Sequence, residues 1–251
     1  MKTDGINCDE ETFQAFSVAG GSPETVHVNQ LRSGERKMSD YQIIAIPGGF
    51  SYGDDVVSGK ILALELNSYL GDQLDDFINV RKGLVLGVCN GFQVLVRTGL
   101  LPFGTMGEMQ ATLVNNDSGN FECRWINLKV EDKNACVFLE GMKGTLSLQV
   151  AHGEGKFFAK PAELARIEQE KLTVFRYCDV DGDPTMDYPL NPNGSVNAIA
   201  GITDKSGRIL GLMPHPERFI RKTQHPNWRR EDIEPRALTI FEKMVSYASQ
   251  M

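Results

Sequence analysis

The stretch Gly83-Leu84-Val85-Leu86-Gly87-Val88-Cys89-Asn90-Gly91-Phe92-Gln93-Val94-Leu95-Val96 decides how the rest of the chain is read. An apolar run leads into Gly-Val-Cys-Asn-Gly and on into a second apolar segment. That order predicts strand, tight turn and helix, with a cysteine at the apex, the thiol version of the G-x-S-x-G elbow. The turn strains the backbone of its apex residue, and side chains at the two flanking positions would collide where strand meets helix. Glycine removes that collision. The helix that follows turns its free N–H groups and positive dipole end toward the sulfur, which favours thiolate over thiol. Cys89 is therefore the candidate nucleophile. Taken alone, the pentapeptide also fits a buried structural cysteine between two incidental glycines.

A cysteine nucleophile needs a base, and the base needs an orienting partner. Gly211-Leu212-Met213-Pro214-His215-Pro216-Glu217-Arg218 offers both. Pro214 and Pro216 keep this segment out of a helix, and in extended chain residues two apart project to one side. Glu217 can then hold one imidazole nitrogen of His215 while the other faces a thiol. Of the four histidines, only His215 has an acid so placed behind a strand-like run (Arg208 to Met213). A surface-loop histidine fits the proline pair less well. A third segment, YQIIAIPGGF (Tyr41 to Phe50), reads as an apolar strand ending in Pro47-Gly48-Gly49. Such a loop can aim backbone N–H groups at an oxyanion, with the amides of Gly49 and Asn90 as the candidate pair. By itself Pro-Gly-Gly is a turn signal.

Together these residues resemble the triad-type (class I) glutamine amidotransferases, and within that family the glutaminase subunits of phosphoribosylformylglycinamidine synthase. The carrying segments are GINCDEET (Gly5 to Thr12), PGGFSYGDD (Pro47 to Asp55), GVCNGFQ (Gly87 to Gln93), NFECRW (Asn120 to Trp125), VAHGEGKF (Val150 to Phe157), NPNGS (Asn191 to Ser195) and GLMPHPER (Gly211 to Arg218). They span nearly the whole chain in family order. The resemblance implies Cys89 as nucleophile with His215 and Glu217 as partners, in agreement with the residues themselves. It further implies that Gln93, one helical turn beyond Cys89 on the same face, helps hold substrate glutamine, and that Phe121 packs over the glutamine pocket. Without it, Gln93 reads as a solvated helix residue and Phe121 as core. His152 reads as a satisfied structural histidine. Cys8, Cys123, Cys136 and Cys178, lacking an elbow or a base in sequence, read as packing residues.

The implied chemistry is attack of the Cys89 thiolate on the glutamine side-chain amide, departure of ammonia protonated by His215, and hydrolysis of the glutamyl thioester. The resemblance implies that ammonia passes through a channel to a synthetase subunit, with a small accessory subunit as a further candidate partner. ATP and magnesium are expected on that synthetase and no cofactor or metal in this chain. A G-x-x-x-x-G-K-[ST] loop is missing, since Gly59-Lys60 is preceded at the required position by Asp54 rather than glycine. The basic stretch Arg218 to Arg230, with Arg221, Lys222, Trp228, Arg229 and Arg230, is a candidate partner surface because Trp and Arg anchor interfaces; a solvated loop is its plainer reading. Other classes fit less well. In cysteine peptidases of the related fold a histidine often follows the nucleophile, where this chain has Asn90. Thioesterases and α/β-hydrolases place the acid well before the histidine. A catalytically silent binding module would not need Cys89, His215 and Glu217 together.

Composition agrees. The chain has 251 residues, 41% hydrophobic and 24% charged, an ordinary globular balance. No apolar run reaches membrane-spanning length, the first residues lack an apolar signal core, and five cysteines without metal-ligand spacing suit a reducing cytoplasm. A net charge of −7 argues against general nucleic-acid binding. Helices are predicted over Glu10 to Ala19 (Asn7 as cap), Val56 to Tyr69, Leu74 to Arg81 and Pro235 to Ser249. Strands are predicted at Val26 to Val28, Gln42 to Pro47, Leu172 to Tyr177, Ala198 to Thr203 and Ile209 to Met213. Antiparallel strands are predicted at Ala111 to Val114, Phe121 to Val130 and Leu146 to His152. The expected architecture is α/β in one domain over residues 1–251: a flavodoxin-like, mostly parallel sheet with helices on both faces and an antiparallel insertion. Resembling proteins carry a strand before the GINCD-like segment, whereas only four residues precede Gly5 here. The expectation is an upstream start, with an apolar gap where that strand would lie.

Overall fold

Nine strands form two sheets among the described residues of the computed structural model, which are 1–54 and 56–251; Asp55, the last residue of the PGGFSYGDD segment, lies outside them. The strands are β1 (Ile43–Ile46), β2 (Leu84–Val88), β3 (Ala111–Val114), β4 (Glu122–Val130), β5 (Thr145–His152), β6 (Lys156–Ala159), β7 (Thr173–Cys178), β8 (Ile199–Thr203) and β9 (Ile209–Leu212). The large sheet runs β1-β2-β9-β8-β7-β4-β5, and β3 pairs antiparallel with β6 in a small second sheet. β1, β2 and β9 are mutually parallel. From β9 outward through β8, β7, β4 and β5 every pairing is antiparallel.

The α/β class holds, and the antiparallel strands continue the same sheet rather than standing apart from it. Burial explains the two halves. β2, β8 and β9 are buried at every position, as strands covered on both faces must be. β4 and β5 alternate buried and accessible residues, the pattern of a sheet with one wet face. The elbow helix α5 (Asn90–Arg97) is buried from Asn90 to Val96 and packs with α3 (Lys60–Tyr69). Across the sheet, α1 (Asp9–Val18) meets α7 (Leu238–Ala248), with Phe16 and Phe241 edge to face at 5.1 Å.

Local details differ from the sequence-based expectation. α1 is capped by Cys8, not Asn7, and has no side-chain cap bond. Val26 to Val28 is not a strand of its own: His27 caps a helix, α2 (Val28–Ser33), through its side chain. α3 starts at Lys60, four residues later than expected, because Gly59 turns the chain in with φ 74°. β6, α6 (Pro161–Gln169) and the short α4 (Gly71–Asp75) complete the element order. Lys2 bridges His27 in parallel, and the Met1 nitrogen donates to the Ala45 carbonyl at 2.7 Å. An apolar cavity of about 340 Å³ borders these residues, lined among others by Phe16, Val26, Ile44 and Val245.

Candidate active site

Three loops leave the carboxyl ends of the adjacent parallel strands β1, β2 and β9, and they carry Gly48-Gly49, Cys89 and His215. This is where open α/β sheets place their sites. Cys89 takes φ 52° and ψ −105°, the strained apex the elbow demands, and its amide donates to the Leu212 carbonyl at 2.8 Å. The flanking glycines are required by close approach. A Cβ on Gly91 would stand 1.9 Å from the Ile46 carbonyl oxygen, and one on Gly87 would stand 2.6 Å from that of Gly91. β1, β2 and α5 can meet only without those side chains.

The far edge of the sheet curls back to close the site. The His215 amide donates to the Gln149 carbonyl on β5 at 2.8 Å, and the Cys89 sulfur lies 3.8 Å from the Ala151 carbonyl oxygen. Nδ1 of His215 lies 2.5 Å from Oε1 of Glu217, and both residues are buried. That bond leaves Nε2 as the free imidazole nitrogen, without a hydrogen-bond partner among the described residues. Burial disfavours the imidazolium, but Glu217 and then the Cys89 and Cys8 sulfurs outweigh it and hold the His215 pKa well above the ordinary histidine range. Gly48 is the point where the groups meet. A Cβ there would lie 2.7 Å from Cε1 of His215 and 3.4 Å from both Cβ of Cys89 and Sγ of Cys8.

Around the elbow, Asn90 is buried and ties its own helix to the turn Ser51–Asp54. Its Oδ1 accepts from the Ser51 amide at 3.3 Å, and its Nδ2 donates to Asp54 Oδ1 and Gln93 Oε1, each at 3.1 Å. Burial pushes the Asp54 carboxyl up against these bonds. Gln93 is buried rather than solvated, and its amide donates to the Glu154 carbonyl at 2.6 Å. Phe121 is 54% exposed and outside the core; a Cβ on Gly153 would sit 3.9 Å from its ring. Gly49 has φ 140°, a glycine conformation, and the Asn90 amide lies in the first turn of α5, where N–H groups have no intrahelical acceptor.

His152 is fixed by other residues. Its Nδ1 lies 3.1 Å from Asn116 Oδ1 and its Nε2 lies 3.5 Å from Asn193 Nδ2. Burial first, and the charge of His215 second, push its pKa down to about 3. It therefore serves as a neutral brace for the loop from Gly153 to Gly155. Asn193 comes from the NPNGS segment and also bonds Tyr177 and Gly155. In the basic stretch, Arg218 turns inward to the Cys8 sulfur, Lys222 pairs with Asp232, Arg229 lies over the half-buried Trp228 ring, and Arg221 and Arg230 are exposed. Nothing in the sequence placed Asp54, Asn116 or Arg218 at the site, or Cys8 near the base. Asp54 and Arg218 lay inside quoted segments; Asn116 carried no local signal.

Residues 1–248 match the model of the CobB/CobQ-like glutamine amidotransferase domain. The chain belongs to that family. Among relatives of this amidotransferase, the phosphoribosylformylglycinamidine synthase subunit PurQ of Dehalococcoides mccartyi is 45% identical over 253 residues, covering 100% of this chain and 97% of that one. The protein of the same name from Treponema denticola is 36% identical, covering 97% and 95%. Among solved structures, PurLQS from Thermotoga maritima superposes with a TM-score of 0.72 at 28% identity, covering 98% of this amidotransferase and 95% of that chain. No helix among the described residues is long and apolar enough to cross a membrane.

Proposed function

We propose that this amidotransferase is the glutaminase subunit of a phosphoribosylformylglycinamidine synthase. It hydrolyses glutamine to glutamate and ammonia and supplies the ammonia to a synthetase subunit in purine biosynthesis. The observation that carries this reading is the convergence of Cys89, the His215–Glu217 pair and Gly48-Gly49 at three neighbouring strand ends. It occurs in a chain whose full-length relatives at 36–45% identity bear that subunit's name.

In this reading Cys89 attacks the side-chain amide carbon of glutamine, and the oxyanion rests on the amides of Gly49 and Asn90. His215, held by Glu217, gives its proton to the departing nitrogen. Water deprotonated by the same imidazole then cleaves the thioester. The raised pKa of His215 supports a charged imidazole ready to donate in the first step. Gln93 and Phe121 border the glutamine site, ATP and magnesium bind the synthetase partner, and the complex works in the cytoplasm. A small accessory subunit is a further partner. Residues 1–251 act as one domain, with Arg221, Arg230 and the Trp228–Arg229 pair offered toward the partner. The test is mass spectrometry after treatment with a glutamine-mimicking electrophile. One label per chain on Cys89, blocked by glutamine, is expected. Labelling that glutamine does not block would overturn the assignment.

A further inference from the structure

We infer that Cys8 is a positioning residue for the proton-transferring histidine, bracing the His215–Glu217 pair together with Arg218. The inference rests on the glutaminase reading and adds to it a thiol outside the elbow. Cys8 is 1% exposed, and its amide donates to the Gly48 carbonyl at 3.2 Å, which fixes the sulfur beside the Gly48 loop. The Cys8 sulfur and the Cys89 Cβ flank one point, each 3.4 Å from the place a Gly48 Cβ would occupy, and the imidazole stands 2.7 Å from that point. The Cys8 sulfur also lies within 4.8 Å of an imidazole nitrogen of His215 and a carboxylate oxygen of Glu217.

Arg218 completes the brace. Its Nη2 donates to the Cys8 sulfur at 3.1 Å, and its amide donates to the His215 carbonyl at 3.4 Å. The guanidinium is thereby held at the base, where Glu217 keeps one buried carboxylate oxygen without a hydrogen-bond partner among the described residues. A sulfur is a weak acceptor, so it can seat the guanidinium without drawing the imidazole away from Glu217. Cys8 is also one of the groups that favour the charged form of His215. The buried thiols of Cys136 and Cys178 differ in their surroundings: no guanidinium bonds either among the described residues. Packing alone does not call for an arginine aimed at a sulfur.

The test compares wild type, Cys8→Ala and Cys8→Ser, each in complex with the synthetase. Three quantities are read: kcat and KM for glutamine against pH, the rate of Cys89 alkylation by the electrophile at neutral pH, and the thermal melt. Cys8→Ala should lower kcat and the alkylation rate roughly tenfold, the factor set by one lost hydrogen bond of typical strength. KM should hardly change. The alkaline limb of kcat/KM should move to lower pH, because His215 loses a group that holds its proton. Cys8→Ser keeps an acceptor for Arg218 and should recover most of the loss. A folded Cys8→Ala variant with wild-type kcat and an unmoved profile would overturn the inference. So would equal losses in both variants with no movement of the pH profile, since that is the mark of packing alone. A wild-type complex that leaves glutamine intact would sink the glutaminase reading instead, and the alkylation rates would still decide the role of Cys8.

Discussion

Gly48 leaves no space for one more carbon. A methyl at 2.7 Å from the His215 ring must displace the ring or the loop. Misplacement of a catalytic group by about 1 Å can cost about 100-fold in rate. Gly48→Ala is therefore expected to lose turnover by roughly that factor, measured as kcat for glutamine, while the melt shows a fold still cooperative. Cys89→Ala should abolish glutamine hydrolysis yet spare synthesis driven by added ammonium salt in the assembled complex. Loss of the ammonia-driven reaction in a properly assembled mutant would refute the division of labour. His215→Ala should fall by about 100-fold to 10,000-fold, the usual worth of a general acid–base. Glu217→Gln should fall less, since it orients the imidazole without moving protons. Small and equal losses in the two would place the base elsewhere. The strained turn at Cys89 and the His215–Glu217 contact were legible because each is a local pattern of a few residues. The surroundings of Gly48 and Cys8 were not, because they arise from contacts to residues far along the chain, such as Cys8 to Arg218.

The loop from Gly153 to Gly155 is fixed where the end of β5 meets two other segments. β5 ends at His152, and Asn116 and Asn193 hold its ring from two other segments. The sign of its pH effect follows directly. A folded pKa of about 3 lies below the 6.5 of an ordinary histidine, so between those values the unfolded chain binds the extra proton. Stability should therefore fall as pH drops through that window, by an order of magnitude of a few kcal/mol. His215, with its pKa raised, has the opposite sign: its contribution is present below its unfolded pKa and fades as pH rises through the folded one. Denaturant melts of wild type and His152→Gln at several pH values isolate the first term. Wild type should lose more stability than the variant between pH 6.5 and 4; parallel losses would show that His152 does not titrate as described. Apart from β6, the strands were legible from apolar runs, and so was the antiparallel pairing of β3, β4 and β5, but the directions of the strands at the centre of the sheet were not. β2, β8 and β9 are buried on both faces, and a two-sided apolar strand looks the same whether it pairs parallel or antiparallel. Val26-His27-Val28 misled because its β-branched residues resemble a strand, while His27 in fact caps α2.

At the scale of the molecule, the sheet curls so that β5 at one edge touches the loop after β9 near the other. The site thus draws on Gly48, Cys89, Ala151 and His215, four places widely spaced along the chain. Contacts of that span form late, because loop-closure entropy must be overcome before they contribute. In refolding from denaturant, glutaminase activity in the assembled complex should return after far-UV circular dichroism has recovered. Simultaneous recovery would mean that β9 docks onto β2 with the first strands. The same wiring bears on translation. When Cys89 leaves the ribosome, His215 has yet to be made, and domains complete themselves only once their last strands are available. Until the strand β9 and the loop after it are made, the elbow thiol has no imidazole beside it, so under the proposed reading an unfinished chain is not expected to turn over glutamine.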